Sequence, residues 1–136
     1  MRRIVVTGLG IVSCIGNNKV EVLNSLLNTK SGIEFSEEQK KYNFRSQVAG
    51  TIKNLNLDEH INRKQKRFMG EGSAFSFIAL KEAIKESGLE EKDISNEKTG
   101  IIMGSGGPSI KNVVYAVDTT RTVSYTHLTL PTTPYV

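Results

Sequence analysis

The stretch "VVTGLGIVSCIGNN", Val5 to Asn18, joins a β-branched run to a turn that contains three glycines. The apolar residues Ile4 to Val6 are typical of a strand that is buried on both faces of an α/β sheet. Asn18 lies three residues before Glu21, which predicts a helix N-cap with partial capping-box character. A strand, a glycine turn and a helix in this order predict the start of an α/β domain.

The following residues alternate between helical and strand patterns. Val22, Leu23, Leu26 and Leu27 recur on one face of the first predicted helix, which ends between Thr29 and Gly32. Beyond it we predict a polar surface segment, a half-exposed strand, a short basic helix and a long, largely apolar helix with Gly88 as its C-terminal cap. These are, in order, "SGIEFSEEQKKYNF" (31–44), "QVAGTIK" (47–53), "NRKQKRF" (62–68) and "EGSAFSFIALKEAIKESG" (71–88).

The stretch "TGIIMGSGG", residues 99–107, repeats the pattern of the opening. Ile101 to Met103 predict a second buried strand, which again runs into glycines. The long helix between the two motifs is apolar on most sides, so we expect it at the domain centre. The alternation of strand and helix predicts an α/β layered fold with a largely parallel sheet.

The composition of the 136-residue chain excludes several classes of protein. Hydrophobic residues make up 38% and charged residues 24%, which is typical of a folded domain. A net charge of +4 is too small to indicate nucleic acid as a partner, although clustered charge would favour an acidic one. The single cysteine cannot form an internal disulfide and suits the cytoplasm. No apolar run reaches the roughly 18 residues of a membrane span, and Thr7, Gly8 and Gly10 interrupt the signal-peptide-like run after Arg2 and Arg3.

The opening glycines also invite comparison with a dinucleotide-binding loop. Gly8 and Gly10 have the spacing of G-x-G-x-x-G, but Ser13 stands at the third glycine position. The helix starts near Asn18, too late for its first amides to meet a pyrophosphate. No second strand ending in an acid follows. These three differences make a nucleotide-binding oxidoreductase domain the less favoured alternative. The favoured interpretation is that these glycines permit a tight turn and close backbone packing.

Four segments taken in order resemble the elongating β-ketoacyl-acyl-carrier-protein synthases, of the synthase I type. They are "RRIVVTGLGIVSCIGNN", "LLNTKSGI", "INRKQKRFM" and "IIMGSGG", and the resemblance runs from Met1 to about Arg121. It implies the N-terminal part of a thiolase-like α-β-α-β-α layered fold, incomplete in this chain, and a homodimer for the full-length protein. Three features depart from the family pattern: Asn62, the pair Gly70-Glu71, and Pro108.

The resemblance implies a decarboxylating Claisen condensation, carried by a cysteine nucleophile, two histidines and a lysine. All of these lie downstream of the matched region, so no catalytic residue is assigned in this chain. Two distant histidines and one cysteine do not have the spacing of metal ligands, and no cofactor is implied. Cys14 is expected to be a small packed side chain, as lone cysteines in apolar runs usually are. His60 is expected at the surface, and His127 is given no role.

The basic segment is the remaining candidate site. Arg63, Lys64, Lys66 and Arg67 place four positive charges within five residues, and Arg63 and Arg67 share a helical face with Lys64 beside them. Such a cluster is often only a solvated face. The resemblance places carrier-protein contacts at the positions of Arg63, Lys64 and Arg67, which implies docking of the acidic acyl carrier protein there. Lys66 stays unassigned.

Residues 122–136 differ in character from the rest of the chain. "VSYTHLTLPTTPYV" contains no charged residue, four threonines and two prolines. We interpret 1–121 as the synthase N-terminal region and 122–136 as an unrelated tail that looks like translated sequencing-adapter sequence. The expected function is thus that of a fragment of a synthase, itself inactive. The alternative is a non-catalytic module for carrier-protein binding or dimerisation.

Overall fold

A computed structural model describes residues 3–122 of the chain. The helices and strands follow in the order α1 (Lys19–Leu27), β1 (Ile33–Phe35), α2 (Glu37–Lys41), β2 (Val48–Gly50), α3 (Leu57–His60), α4 (Arg63–Lys66), α5 (Glu71–Ser87), α6 (Glu91–Ile94) and α7 (Ile110–Thr122). This part of the molecule is therefore mainly helical, with a small sheet.

Helix α5 is the element around which the described chain is organised. It ends at Gly88, whose φ of +68° is the left-handed conformation that glycine adopts without steric cost, as predicted. Ala74 and Ile78 are buried and form the core with Ile61. Half-buried apolar residues surround this cluster: Val12, Leu55, Leu57, Met69 and Phe77. The predicted central place of this helix holds for its first half, where the core lies.

Helix α1 begins as the sequence predicts. The Asn18 side chain accepts a hydrogen bond from the Glu21 backbone N–H at 3.0 Å, and its amide group donates to the Glu21 carboxylate at 2.9 Å. Val22 and Ser25 are the buried residues, and the Ser25 hydroxyl donates to the Ile15 carbonyl at 2.6 Å. The other apolar residues of the predicted face are exposed: Leu23, Leu26 and Leu27.

The sheet of the described residues has two short antiparallel strands. β1 pairs with β2 in the register Ile33 with Gly50 and Phe35 with Val48. The strand predicted around Val48 is confirmed. β1 and α2 fall in the segment predicted to be polar and partly irregular, because two apolar residues spaced by one are too weak a pattern to mark a strand.

Two predicted strands are wrong for the described residues. The first glycine motif (residues 4–11, "IVVTGLGI") and the second glycine motif (residues 101–107, "IIMGSGG") form neither helix nor strand, and no parallel sheet is present in residues 3–122. Ile4 and Ile102 are almost fully exposed. A strand of a parallel sheet needs neighbours in the sheet and cover on both faces. A β-branched run supplies the propensity for such a strand but cannot supply its neighbours.

Two further helices lie beyond α5. Glu90 and Asp93 form a reciprocal capping box at the start of α6. α7 carries apolar residues at helical spacing, namely Ile110, Val113, Val114 and Val117, and all four are exposed. Within residues 3–122, no helix has both the length and the apolar character needed to cross a membrane.

Candidate functional site

Two short helices, α3 and α4, position the basic segment, and an asparagine side chain caps the N-terminus of each. The Asn56 side chain accepts from the Asp58 backbone N–H at 3.1 Å and begins α3. The Asn62 side chain accepts from the Gln65 N–H at 2.9 Å and begins α4. Asparagine and aspartate are about equally good at this position, so the departure of Asn62 from the usual acid preserves the cap. Between the two helices Ile61 is only 2% exposed and anchors the segment to α5 through the core.

Three of the four cations project from one side of α4. Arg67 has φ −61° and ψ −26°, so the helical turn continues through it. At 100° per residue, Arg63 and Arg67 lie about 40° apart and Lys64 lies about 100° from Arg63. All three side chains are exposed. We call Arg63, Lys64 and Arg67 the α4 patch.

Lys66 differs from the α4 patch in that its charge is paired. Its ammonium group donates to the Asp58 carboxylate at 2.8 Å and joins α4 to α3. This exposed ion pair contributes little to stability, but it neutralises the fourth charge of the segment. The sequence does not predict this pair, because Asp58 and Lys66 lie eight positions apart across a turn, a spacing that no single helix would bring together.

The α4 patch keeps its positive charge unneutralised. Among residues 3–122, no carboxylate lies within ion-pair distance of Arg63, Lys64 or Arg67. Phe68, which follows the patch, is more than half exposed. A compact group of cations with an adjacent exposed aromatic ring suits the surface of an acidic protein and would guide its approach.

The backbone of α5 fills the space beside Gly8 and Gly10 and leaves no room for a phosphate. A Cβ atom on Gly8 would lie 2.1 Å from the Ala83 carbonyl oxygen, and one on Gly10 would lie 1.8 Å from the Ala79 carbonyl oxygen. The backbone of the first glycine motif therefore packs directly on α5. This confirms the predicted role of the two glycines in close backbone packing.

Cys14 is half-buried, and its sulfur faces the backbone of two other glycines. Cβ atoms placed on Gly32 and Gly50 would lie 2.7 and 2.9 Å from its Sγ. This contact agrees with the expected packing role. His60 is exposed, as predicted, and His127 lies outside the described residues. Within residues 3–122 no group of three His, Cys, Asp or Glu side chains is placed to hold a metal ion.

A second surface feature is a cleft of about 450 Å³ beside α5. Phe77 and Leu80 of the helix form one wall, and Ile101 and Met103 of the second glycine motif form part of the other. The sequence predicts that both apolar groups are buried, the first in a central helix and the second in a strand. The structure brings them together around an open cleft.

Comparison with known proteins gives a consistent result. The family model described as "Beta-ketoacyl synthase, N-terminal domain" matches residues 1–132. This range extends beyond the predicted boundary at residue 121, which stays a prediction.

Curated relatives match most of this chain but only part of their own length. The chain is 52% identical over 121 residues to 3-oxoacyl-[acyl-carrier-protein] synthase 1 of Haemophilus influenzae, covering 89% of this chain and 30% of the relative. It is 46% identical over 122 residues to the synthase 1 of Escherichia coli, with the same coverage of 89% and 30%. Identity to 3-oxoacyl-[acyl-carrier-protein] synthase 2 of Staphylococcus aureus is 30% over 105 residues, covering 77% of this chain and 25% of that protein. The chain thus spans under a third of the length of these relatives.

The family model, the identity to the synthase 1 enzymes and the structural role of the first glycines agree with the resemblance found in the sequence. The chain belongs to the β-ketoacyl synthase family and corresponds to its N-terminal domain.

Proposed function

We propose that this chain is the N-terminal part of a 3-oxoacyl-[acyl-carrier-protein] synthase that elongates fatty acyl chains. The proposal rests chiefly on sequence identity: the chain is 52% and 46% identical to two relatives that carry this name. The whole enzyme would have the thiolase-like layered fold, act as a homodimer and reside in the cytoplasm.

The proposed reaction needs groups that the family places downstream of the matched region. A cysteine thiolate takes the acyl group from the carrier thioester. Malonyl-carrier protein then loses carbon dioxide, and the carbanion formed attacks the acyl-cysteine thioester. A carbon–carbon bond forms, the cysteine thiolate leaves, and 3-oxoacyl-carrier protein is released. Within this scheme the described residues supply a scaffold and a docking surface for the carrier protein.

The α4 patch is the part of the proposed site that this chain contains. Its three exposed cations lie on one side of a turn fixed by the Asn62 cap and by the buried Ile61. Acyl carrier protein is strongly acidic. The patch would raise the association rate of the carrier protein and orient it. Exposed charges at the rim of an interface change the association rate more than they change the affinity.

Sequencing of the source DNA past codon 122 tests the enzyme assignment. We expect the reading frame to continue into a cysteine-containing segment and, later, into two histidines. A confirmed stop after Val136 would contradict the enzyme assignment for this polypeptide and would leave the carrier-binding alternative.

Charge reversal tests the α4 patch separately. In the full-length synthase, Arg63→Glu, Lys64→Glu and Arg67→Glu together should weaken binding of acyl carrier protein by roughly tenfold or more at low salt. The loss should shrink as ionic strength rises, because exposed charges are screened. Binding is measured by titration calorimetry at two or three salt concentrations.

A matched control distinguishes the patch from net charge. Lys41, Lys92 and Lys98 are exposed and lie outside α4, and reversing all three changes the net charge by the same amount. This control should retain most of the binding. Equal loss in both triple variants, or unchanged binding of the patch variant at every salt concentration, would refute the docking role while leaving the enzyme assignment intact.

A further inference from the structure

Two carboxylates of α5 bind the backbone of the first glycine motif. The Leu9 N–H donates to Glu86 Oε2 at 2.9 Å, and the Ile11 N–H donates to Glu82 Oε2 at 3.0 Å. Strand pairing would satisfy such amides with carbonyl oxygens. In the structure two side chains of a helix take the place of a neighbouring strand.

The same two carboxylates also reach the start of α1. Glu82 Oε1 accepts from the Lys19 backbone N–H at 3.0 Å, and Glu86 Oε1 contacts the Lys19 ammonium group. Glu82 therefore bridges two backbone amides on either side of the turn from Ser13 to Gly16. An anionic group at the first residue of a helix is also favoured by the helix dipole.

The repeat lengths of the two partners match. Two residues of extended backbone advance by about 6.6 Å, and four residues of an α-helix advance by about 6 Å. Gly8 and Gly10 contact the backbone at Ala83 and Ala79, four residues apart. The amides of residues 9 and 11 likewise bind side chains at positions 86 and 82. The motif thus runs antiparallel to α5. Its two glycines and its two amides each meet residues that lie four positions apart on the helix.

We propose that Glu82 and Glu86 form a carboxylate latch that holds the first glycine motif and the start of α1 on α5, and that protonation of Glu86 loosens it. A carboxylate accepts at both oxygens, whereas a protonated carboxyl group gives up one of these positions to its own proton. Each carboxylate of the latch uses both oxygens as acceptors. Protonation of Glu86 therefore weakens its contact with the Leu9 amide or with the Lys19 ammonium group.

The charged groups around the latch are mixed in sign. Lys19 of α1 faces Glu86 directly, and the first glycine motif brings no charged side chain. Glu82 lines a groove of about 540 Å³ whose other titratable residues come from α1, α3 and α5; they are Glu21, Glu59, His60, Lys81 and Lys85. The hydrogen bonds from Lys19 and the Leu9 amide, with the Lys19 charge, hold the pKa of Glu86 below its ordinary value.

The sign of the pH dependence follows from the lowered pKa. A carboxyl group with a depressed pKa in the folded protein contributes stability that is present above its unfolded pKa of roughly 4.3. This contribution is lost as the pH falls through the folded value. The latch is therefore closed at neutral pH and opens only in acid.

Residue-resolved hydrogen exchange of the 136-residue chain at pH 7 tests the latch. In Glu82→Gln one of the two oxygens is replaced by an NH₂ donor, so exchange at the Ile11 or Lys19 amide should accelerate about tenfold. In Glu86→Gln the same should occur at the Leu9 amide. The matched control is Glu97→Gln, an exposed glutamate outside the latch, which should leave all three amides unchanged.

The pattern of exchange decides the outcome. Acceleration confined to the named amides supports the latch. Unchanged exchange in both variants, or an equal acceleration throughout α5, contradicts it. If a variant does not fold, the wild-type chain provides the test: the Leu9 amide shift should titrate with a midpoint below that of an ordinary glutamate. A Leu9 shift that is insensitive to pH would refute the proposal.

Discussion

The two glycine motifs have similar sequences and different surroundings. In the first, Gly8 and Gly10 lie so close to α5 that a Cβ atom would fall within 2.1 and 1.8 Å of carbonyl oxygens. In the second, Cβ atoms on Gly104, Gly106 and Gly107 would meet nothing within 4 Å. An apolar run followed by glycines therefore does not determine its own environment. What differs is whether a helix presents small residues and carboxylates at the matching spacing.

The largest expected difference between the motifs is the cost of an added methyl group. Gly10→Ala should lower the free energy of unfolding by about 3 kcal/mol, because the clash is with backbone that cannot rotate away. Gly106→Ala should change it by less than about 0.5 kcal/mol. Urea denaturation of the two variants measures both values. Equal effects would show that the contact with α5 does not determine the role of the first motif.

Truncation of isoleucine side chains compares a buried apolar residue of the core with an exposed one of the second motif. Ile61→Ala should cost about 2 kcal/mol, since Ile61 is 2% exposed and lies in the core beside α5. Ile102→Ala in the second motif should be close to neutral, since that side chain is 101% exposed. The same denaturation experiment applies. A cost above 1 kcal/mol for Ile102→Ala would mean that the second motif is buried in solution.

A glycine can also be required by its backbone conformation rather than by close packing, and neither glycine motif shows this requirement. Gly88 has open space around its Cα but a φ of +68°, so Gly88→Ala should cost about 1 kcal/mol through strain alone. Gly104→Ala has neither a clash nor a positive φ and should be neutral. Thermal unfolding of this pair isolates conformation from contact. A neutral Gly88→Ala would place the end of α5 elsewhere than at this residue.

The smallest expected effect is the pH dependence that Glu86 gives to the first motif. The stability of the wild-type chain should fall slightly more steeply below pH 5 than that of Glu86→Gln, because only the wild type loses the charged contacts of Glu86. The drop is small because the pair with Lys19 is exposed. Urea midpoints at pH 7, 5 and 4 compare the two proteins. Parallel curves would show that these contacts are absent in solution.

Local signals predicted helices α1, α4 and α5 but not α2, α3 or α6. Asn18 and Gly88 mark the ends of α1 and α5 through capping interactions that involve only a few neighbouring residues. α7 was not predicted, although Ile110, Val113 and Val117 have helical spacing. The strands at both glycine motifs were wrong because strand formation depends on partners distant in sequence.

The candidate site was predicted only in part, for a related reason. The position of the α4 patch follows from a run of charges on one helical turn, which is a local pattern. The pairing of Lys66 with Asp58 and the binding of backbone amides by Glu82 and Glu86 depend on how separate elements come together. Patterns of spacing within one element cannot report such contacts.

The match between the repeat of the first glycine motif and that of α5 constrains the length of this stretch as well as its two glycines. Deleting Gly10 would bring Leu9 or Ile11 into its place and press that side chain against the Ala79 carbonyl oxygen. A substitution at position 9 other than proline leaves the amide that Glu86 binds in place. Gaps and insertions should therefore be far less tolerated in this stretch than substitutions at position 9.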